Sequence, residues 1–502
     1  MSTALSPYII LSIIFLHFVM LMVIAYFTSK DSGNQSFFVA NKKAPWGLVA
    51  YGMIGASISG VTFLSIPGAV GAGGVNQSFS YMQMVMGYML GYAVVALVLM
   101  PLYYRLNLIS IYTYLEHRYG ISAYKTGAAF FLLSRSVGTA FRMFLMALVL
   151  HKFVLEGFGI PFWLTAFIVP FLIWIYTFKG GTQTVLWTDS IQTTVFLLAV
   201  VFTIFDIAHK LDTDFFGLIE KVYNSHYSQM FFFKDGWSDP NNFFKMFISG
   251  ALITMTMTGL DQDLMQKNLS CKNIGDAQKN MFTFSFTLIF VNLLFITLGA
   301  SLYIFANHTG LELPNKSDQL FPYMAFNHLS PYVGILCMLG LVASSYASAD
   351  SALTSLTTSF CVDFLNFQKR SKLAEEYHQE AEMNTRLEKE RFRVHLGATV
   401  AIAILIILFS AIGNEAVINQ LFKAAGYTYG PLLGLFAFGI LTEYKIKDKF
   451  VPYICLLAPV LSFIIDKNSQ SWFGGLSISF LILLVNGLIT MFGLWLIREK
   501  ES

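Results

Sequence analysis

Long apolar runs follow one another along almost the whole chain, separated by short polar joints. A helix that crosses a bilayer needs about 20 apolar residues. Thirteen stretches qualify: 7–27, 47–71, 79–103, 126–153, 160–178, 184–208, 243–262, 281–306, 331–363, 394–413, 416–440, 449–466 and 474–497. Helices are the expected form of such runs, because a helix satisfies its own backbone hydrogen bonds inside lipid. The pattern therefore predicts an all-α polytopic membrane protein with about 13 transmembrane helices and the lipid bilayer as its surroundings. The first run has no Lys or Arg before it and no small-residue cleavage site, so it reads as a retained span rather than a signal peptide.

Two of these runs carry polar atoms where lipid favours carbon. Span 47–71 contains Gly55-Ala56-Ser57-Ile58-Ser59-Gly60, two glycines bracketing two hydroxyls. Span 331–363 places Ser344, Ser348 and Ser351 at i, i+4 and i+7 on one helical face, with Asp350 beside them. Hydroxyls and loosened carbonyls are hard oxygen ligands, the kind a small cation such as Na⁺ requires. Glycines also interrupt span 243–262, at Gly250 and Gly259, as Gly52, Gly55 and Gly60 interrupt 47–71. The two spans stand five apart in order, an odd number, so they run in opposite directions. Paired broken helices in inverted halves point to a transporter's central site. The alternative is that these glycines only let helices pack closely.

Composition and charge sharpen this picture. The chain of 502 residues is 56% hydrophobic and 12% charged, against about 25% charged in soluble proteins. Its net charge is only +3, and no nucleic-acid partner is expected. Its four cysteines are far apart, which argues against a disulfide scaffold or zinc site. With the N-terminus outside and the C-terminus cytoplasmic, inner loops hold 22 Lys and Arg, outer loops and their flanks six, and the spans four, including Arg135 and Arg142. The positive-inside rule favours that orientation in the cell membrane. Loop 364–393, with seven bases and six glutamates, is expected to be a solvated cytoplasmic helix.

Four stretches resemble one family, the sodium/solute symporters that include the sodium–glucose, proline, sialic acid and monocarboxylate carriers. Gly180-Gly181-Thr182-Gln183-Thr184-Val185-Leu186-Trp187-Thr188-Asp189-Ser190-Ile191-Gln192 is similar to the family's GG…AV.WTD..Q signature. Asp261-Gln262-Asp263-Leu264-Met265-Gln266-Lys267 is similar to its DQ..VQR segment, with lysine in the place of arginine. Ala347-Ser348-Ala349-Asp350-Ser351-Ala352-Leu353 is similar to its STADSAL helix, and Gly426-Tyr427-Thr428-Tyr429-Gly430-Pro431 to a further pattern. The resemblance implies a leucine-transporter-like inverted five-helix repeat. Its parts would be an extra N-terminal helix and loop (1–46), a first repeat (47–208), an extracellular loop (209–242), the inverted repeat (243–440) and two C-terminal helices (441–502).

The resemblance also implies a site. A first sodium would lie at Gly55, Ile58, Ser344, Ala347 and Ser348, where Ala347 lacks the hydroxyl usual in the family and a water or Asp350 would have to stand in. A second sodium, found in some relatives, would map to Asp189, Asp350 and Ser351. Alternatively, Asp189 is a hydrogen-bonded cap of its helix and Asp350 lies in a vestibule. The solute would sit between Ser57, Ser59, Thr62, Arg135 and either Gln83 or, if the loop aligns without a gap, Tyr81. A midspan arginine should face a cavity or a partner, and its planar guanidinium suits a carboxylate; an ion pair within the bundle is the other possibility. The expected function is sodium-coupled import of a small organic solute by alternating access, with a carboxylated one such as sialic acid or a monocarboxylate ahead of a sugar, amino acid or vitamin. A monomer is the expected functional unit. An intramembrane enzyme is disfavoured, since the spans hold no HExxH, nucleophile elbow or histidine–carboxylate pair. A solute sensor that does not transport stays open.

Overall fold

The computed structural model describes residues 7–29, 33–234, 236–377, 380–410, 417–472 and 478–499. Among them no strand forms beyond two isolated bridges. Thirteen apolar helices account for the thirteen runs. They are α1 (Pro7–Thr28), α2 in two pieces (α2a Trp46–Ser57, α2b Gly60–Ala72), α3 (Tyr81–Arg105), α4 (Ile121–Phe158), α5 (Phe162–Thr177) and α6 (Thr182–Lys210). Next come α7, also in two pieces (α7a Phe243–Gly259, α7b Gln262–Leu269), α8 (Ile274–Thr309) and α9 (Pro331–Phe364). The last four are α10 (Glu380–Ser410), α11 (Val417–Leu441), α12 (Val451–Trp472) and α13 (Ile482–Leu496). The expected ends of runs 394–413 and 416–440 at 411–416, and the start of 474–497, fall outside the described residues.

Burial sorts the helices by place. In α9, 78% of the most apolar stretch is buried inside the protein, against 22% in α1 and in α12. Helices that are apolar all round can sit in either position, and the peripheral ones turn their Leu, Ile and Phe side chains to lipid. Contacts around the centre repeat in pairs. Helix α6 packs along α9 as α11 packs along α4, and α7a lies on α3 as α8 lies on α2.

Two expectations for the joints are corrected. Residues 263–280 do not form a solvated loop: Gln262–Leu269 is a helix whose eight residues are all buried, so Lys267 is not a loop base. Removing it barely alters the charge asymmetry. Loop 364–393 is not one free helix. It holds a short helix, Phe367–Glu376, and the first turns of α10, which fold onto each other through a forked Arg370–Glu390 pair at 2.6 and 2.9 Å.

The glycines of α7 divide in role. The helix runs unbroken through Gly250 and bends only at Leu260–Asp261. Gly250 instead lies against the backbone of Met84, and Gly91 of α3 faces the carbonyl of Ala251, where a Cβ would come within 2.6 Å. Small residues on both helices let the backbones approach. Gly250→Ala should therefore loosen the α3–α7 pair and cost about 1–3 kcal/mol, read as a lower melting temperature of the purified protein with the ion dependence of transport retained.

Candidate functional site

Both central helices break, and the two breaks are finished differently. In α2, Ile58 and Ser59 are extended (φ −84°, ψ 97° and φ −92°, ψ 173°), and the halves meet at 59°. The last intrahelical bond runs from Ile58 N to Ile54 O at 2.8 Å. The carbonyls that follow lose their partners on the next turn, and the first amides of α2b are left over as well. Among the described residues no side chain donates to the carbonyls of Gly55, Ala56, Ser57 or Ile58. In α7, by contrast, a widened turn at Met255–Gly259 leads into a 62° bend. There the freed carbonyls are capped: Tyr103 donates to Gly259 O at 2.9 Å and Tyr112 to Leu260 O at 3.0 Å. Gln262 is clamped from both sides, accepting from Ile111 N at 3.0 Å and donating to Ile109 O at 2.6 Å. The break in α7 is closed by protein, whereas the break in α2 leaves oxygen free.

A cavity lies beside the break in α2. Ser57, Ser59, Thr62, Tyr81 and Arg135, all singled out from the sequence, line it. Gln83 does not, which corrects that expectation. Its amide nitrogen donates to Asn241 O at 2.8 Å and Ser80 O at 3.2 Å, and its oxygen accepts from Phe232 N at 3.2 Å. Gln83 thus ties the start of α3 to the loop before α7. The other walls come from Tyr88 and Tyr92 of α3, Met257 of α7a, Asn292 of α8 and Leu421 and Phe422 of α11. The Tyr92 hydroxyl hydrogen-bonds with Ser57 and Thr258.

The two arginines of α4 are in unlike states. Arg135 is 3% exposed and pairs with Asp263, with Asp261 at 3.9 Å. Asp261 also caps α7b through Asp263 N at 2.8 Å and accepts the Tyr429 hydroxyl. Arg135 therefore secures the break in α7 while its edge faces the cavity. Arg142, seven residues further along the helix, lies about 10 Å away along the axis. It is 7% exposed and lines the same cavity. Among the described residues no carboxylate lies within 4 Å of it, and its Nε and Nη1 have no hydrogen-bond partner. Sequence reading noted Arg142, but pairing is a property of what the fold brings near.

Of the residues of the first sodium position, Gly55 and Ala347 meet across the helices. A Cβ on Gly55 would stand 3.2 Å from Ala347 Cβ and 2.5 Å from Thr193 Oγ1, so α2a rests directly on α9 and α6. Ser344 and Ser348 each donate to a carbonyl of their own helix, Leu341 O and Ser345 O, both at 3.1 Å. Their oxygens keep lone pairs for an ion. Ala347 offers only its methyl, and Asp350 does not replace the missing hydroxyl. Its Oδ2 accepts from Tyr176 at 3.0 Å and Thr188 at 3.2 Å, and its Oδ1 from Ser351 N at 2.6 Å. At the second position, Asp189 and Asp350 lie side by side, but Asp189 holds the Lys267 ammonium and the Ser351 hydroxyl donates to Asp263.

Known proteins resemble this arrangement over nearly its full length. The sodium:solute symporter family profile matches residues 37–445. The sodium/sialic acid symporter NanT of Aliivibrio fischeri is 24% identical over 428 residues, covering 83% of this chain and 79% of its own. The human sodium-coupled monocarboxylate transporter 1 is 22% identical, over 84% of this chain and 67% of its own. A solved substrate-bound outward-open state of a Na⁺-coupled sialic acid symporter superposes with a TM-score of 0.77 over 99% of both chains, at 17% identity, and so shares the leucine-transporter-like fold. With a profile match spanning both broken helices and the helices they rest on, the chain belongs to the sodium:solute symporter family.

Proposed function

We propose that the protein is a sodium-coupled symporter of a small carboxylated solute, acting by alternating access across the cell membrane. The N-terminus lies outside and the C-terminus in the cytoplasm. The observation that carries the choice of solute is Arg142, a buried guanidinium that forms no ion pair and borders a cavity of midspan residues, with Asp261 its nearest carboxylate influence. An arginine at bilayer depth costs about 2.5–3.5 kcal/mol on insertion scales. A carboxylate ligand offsets that through paired charge-assisted hydrogen bonds. The free amides and positive dipole end of α2b add to the attraction. Ser57, Ser59, Thr62 and Tyr81 hold the solute's hydroxyl and amide groups, and Arg135 borders it while holding α7b.

Sodium binds at the carbonyls of Gly55 and Ile58 with oxygens of Ser344 and Ser348, Ala347 lending only its place on the helix. Binding there fixes α2a against α9 and so shapes the cavity before the solute arrives. Swinging of the broken helices against α4 and α9 then releases both cargoes inward, with no bond of the solute made or broken. One chain contains the whole site, so a monomer suffices. Relatives named for sialic acid and for monocarboxylates agree with a carboxylated cargo.

The test is uptake into sealed proteoliposomes of sialic acid, pyruvate, glucose and proline under an inward sodium gradient. Accumulation of a carboxylate above its outside concentration, lost when potassium or choline replaces sodium, is expected. Equal uptake in potassium would remove sodium coupling. Sodium-dependent binding without accumulation would instead make the protein a sensor.

A further inference from the structure

Arg142 stands on one wall of the cavity beside the break in α2, and a wall on another helix carries an amide that no protein group has claimed. Asn292 of α8 lines the cavity, as does Leu288 one turn before it, so this face of α8 is turned toward it. Phe284, a further turn back, meets the ring of Tyr92 edge-on at 5.1 Å and seats the same face against α3. Helices α4 and α8 run in the same direction through the bundle. At about 1.5 Å per residue, Arg142 lies about 32 Å along α4 from Ile121, and Asn292 about 27 Å along α8 from Ile274. The two residues therefore stand at similar depth. Helix α4 packs on α9, α10 and α11, whereas α8 packs on α3 and α6, and both lie on α2b. Arg142 and Asn292 thus border the cavity from separate walls, with α2 between them.

Asn292 is 3% exposed, and its Nδ2 donates to Leu288 O of its own helix at 2.7 Å. That bond fixes which end of the amide is nitrogen, since a carbonyl only accepts. Among the described residues no group donates to the Asn292 Oδ1. Asparagines within membrane helices serve to bond across to a neighbouring helix; this one bonds only within its own and leaves its oxygen to whatever enters the cavity. The hydroxyls of Ser57, Ser59 and Thr62 can each donate or accept, so they adapt to many solutes. A carboxamide oxygen can only accept, so the group that meets it must bring an O–H or N–H. We propose that Asn292 is a specificity-determining contact of the solute: Arg142 takes the carboxylate, and Asn292 takes a hydroxyl or amide hydrogen at the solute's far end. This rests on the carboxylate-symport reading above and narrows its cargo to acids long enough to carry such a group, sugar acids ahead of short monocarboxylates. A short acid held by Arg142 leaves Oδ1 without a donor once the cavity closes and water is expelled. An unmet buried acceptor is how a site built for a polar group rejects analogues that lack it.

The experiment is calorimetric titration of the purified full-length protein, in saturating sodium, with sialic acid, gluconate, lactate and pyruvate. In the wild type, sialic acid or gluconate should bind at least about tenfold more tightly than lactate or pyruvate, the worth of one hydrogen bond. Asn292→Leu keeps the volume and removes the amide, and it should shrink that preference about tenfold. Asn292→Ala supplies the same comparison with less bulk should the leucine variant fail to fold. A wild type that binds lactate or pyruvate as tightly as both longer acids overturns the inference. A folded variant that keeps the wild-type preference also overturns it, and so does an equal weakening of all four acids, which marks a merely structural asparagine. Failure of all four to bind the wild type removes the carboxylate reading itself, so the two failures are told apart.

Discussion

Arg142→Gln should raise the KM for a carboxylated solute about a hundredfold while leaving a folded protein that still binds sodium. In the wild type the guanidinium is buried, forms no ion pair and lines the cavity. A carboxylate that reaches it gains a charge-assisted pair in a site with little water, worth about 3 kcal/mol, or roughly two orders of magnitude in KM. Glutamine keeps a polar, hydrogen-bonding end but loses the charge and some of the reach. The same change at Arg135 should behave differently. It would leave Asp261 and Asp263 buried without their cation, which costs about 3–5 kcal/mol of stability, so Arg135→Gln should be lost to poor expression or a lowered melting temperature. The measurement is a pair of numbers for each variant, the melting temperature and the KM for sialic acid or pyruvate. A normal KM in Arg142→Gln would end that arginine's role in binding.

Ser348→Ala should raise the sodium concentration for half-maximal uptake by about tenfold, a loss of about 1.4 kcal/mol. The site begins one hydroxyl short, since Ala347 presents a methyl to Gly55, and Asp350, fully engaged elsewhere, does not make up the difference. Removing Ser348 leaves carbonyls and Ser344 alone, too few oxygens to replace a sodium's water shell well. The same loss should appear without transport. Sodium stabilises the folded state by an amount that grows with the logarithm of its concentration over Kd, so the rise in melting temperature between sodium-free and sodium-rich buffer should shrink in Ser348→Ala. An unchanged sodium response in both assays would move the ion elsewhere.

Much of this molecule was legible in one dimension because lipid reads one dimension. Each span must be apolar along its own length whatever its neighbours are, so thirteen runs became thirteen helices, most with ends shifted by a few residues and α10 beginning fourteen residues early. The break in α2 was legible for the same local reason: glycines beside hydroxyls weaken a helix wherever it sits. The break in α7 was legible in part: of the two glycines that marked it, Gly259 stands at its edge, whereas Gly250 serves packing, and the eight residues beyond the bend read as a polar loop because Asp263, Gln266 and Lys267 look solvated until their partners are known. Only the fold brings Asp189, Arg135 and Thr358 to meet them. Gln83 and Tyr81 differ by two positions on one helix, and the packing of α3 on α7a decided which faces the cavity.

The sequence by itself determined that the chain crosses a membrane many times, that an oxygen-rich break lies in its second span, and that two arginines stand at bilayer depth. Tertiary structure alone decided which of those arginines forms an ion pair, which carboxylates already hold a cation, and which carbonyls at the break in α2 stay without a donor. The reason is the reach of the interactions: hydropathy acts on each segment separately, while a buried charge takes its meaning from whichever opposite charge the fold sets beside it.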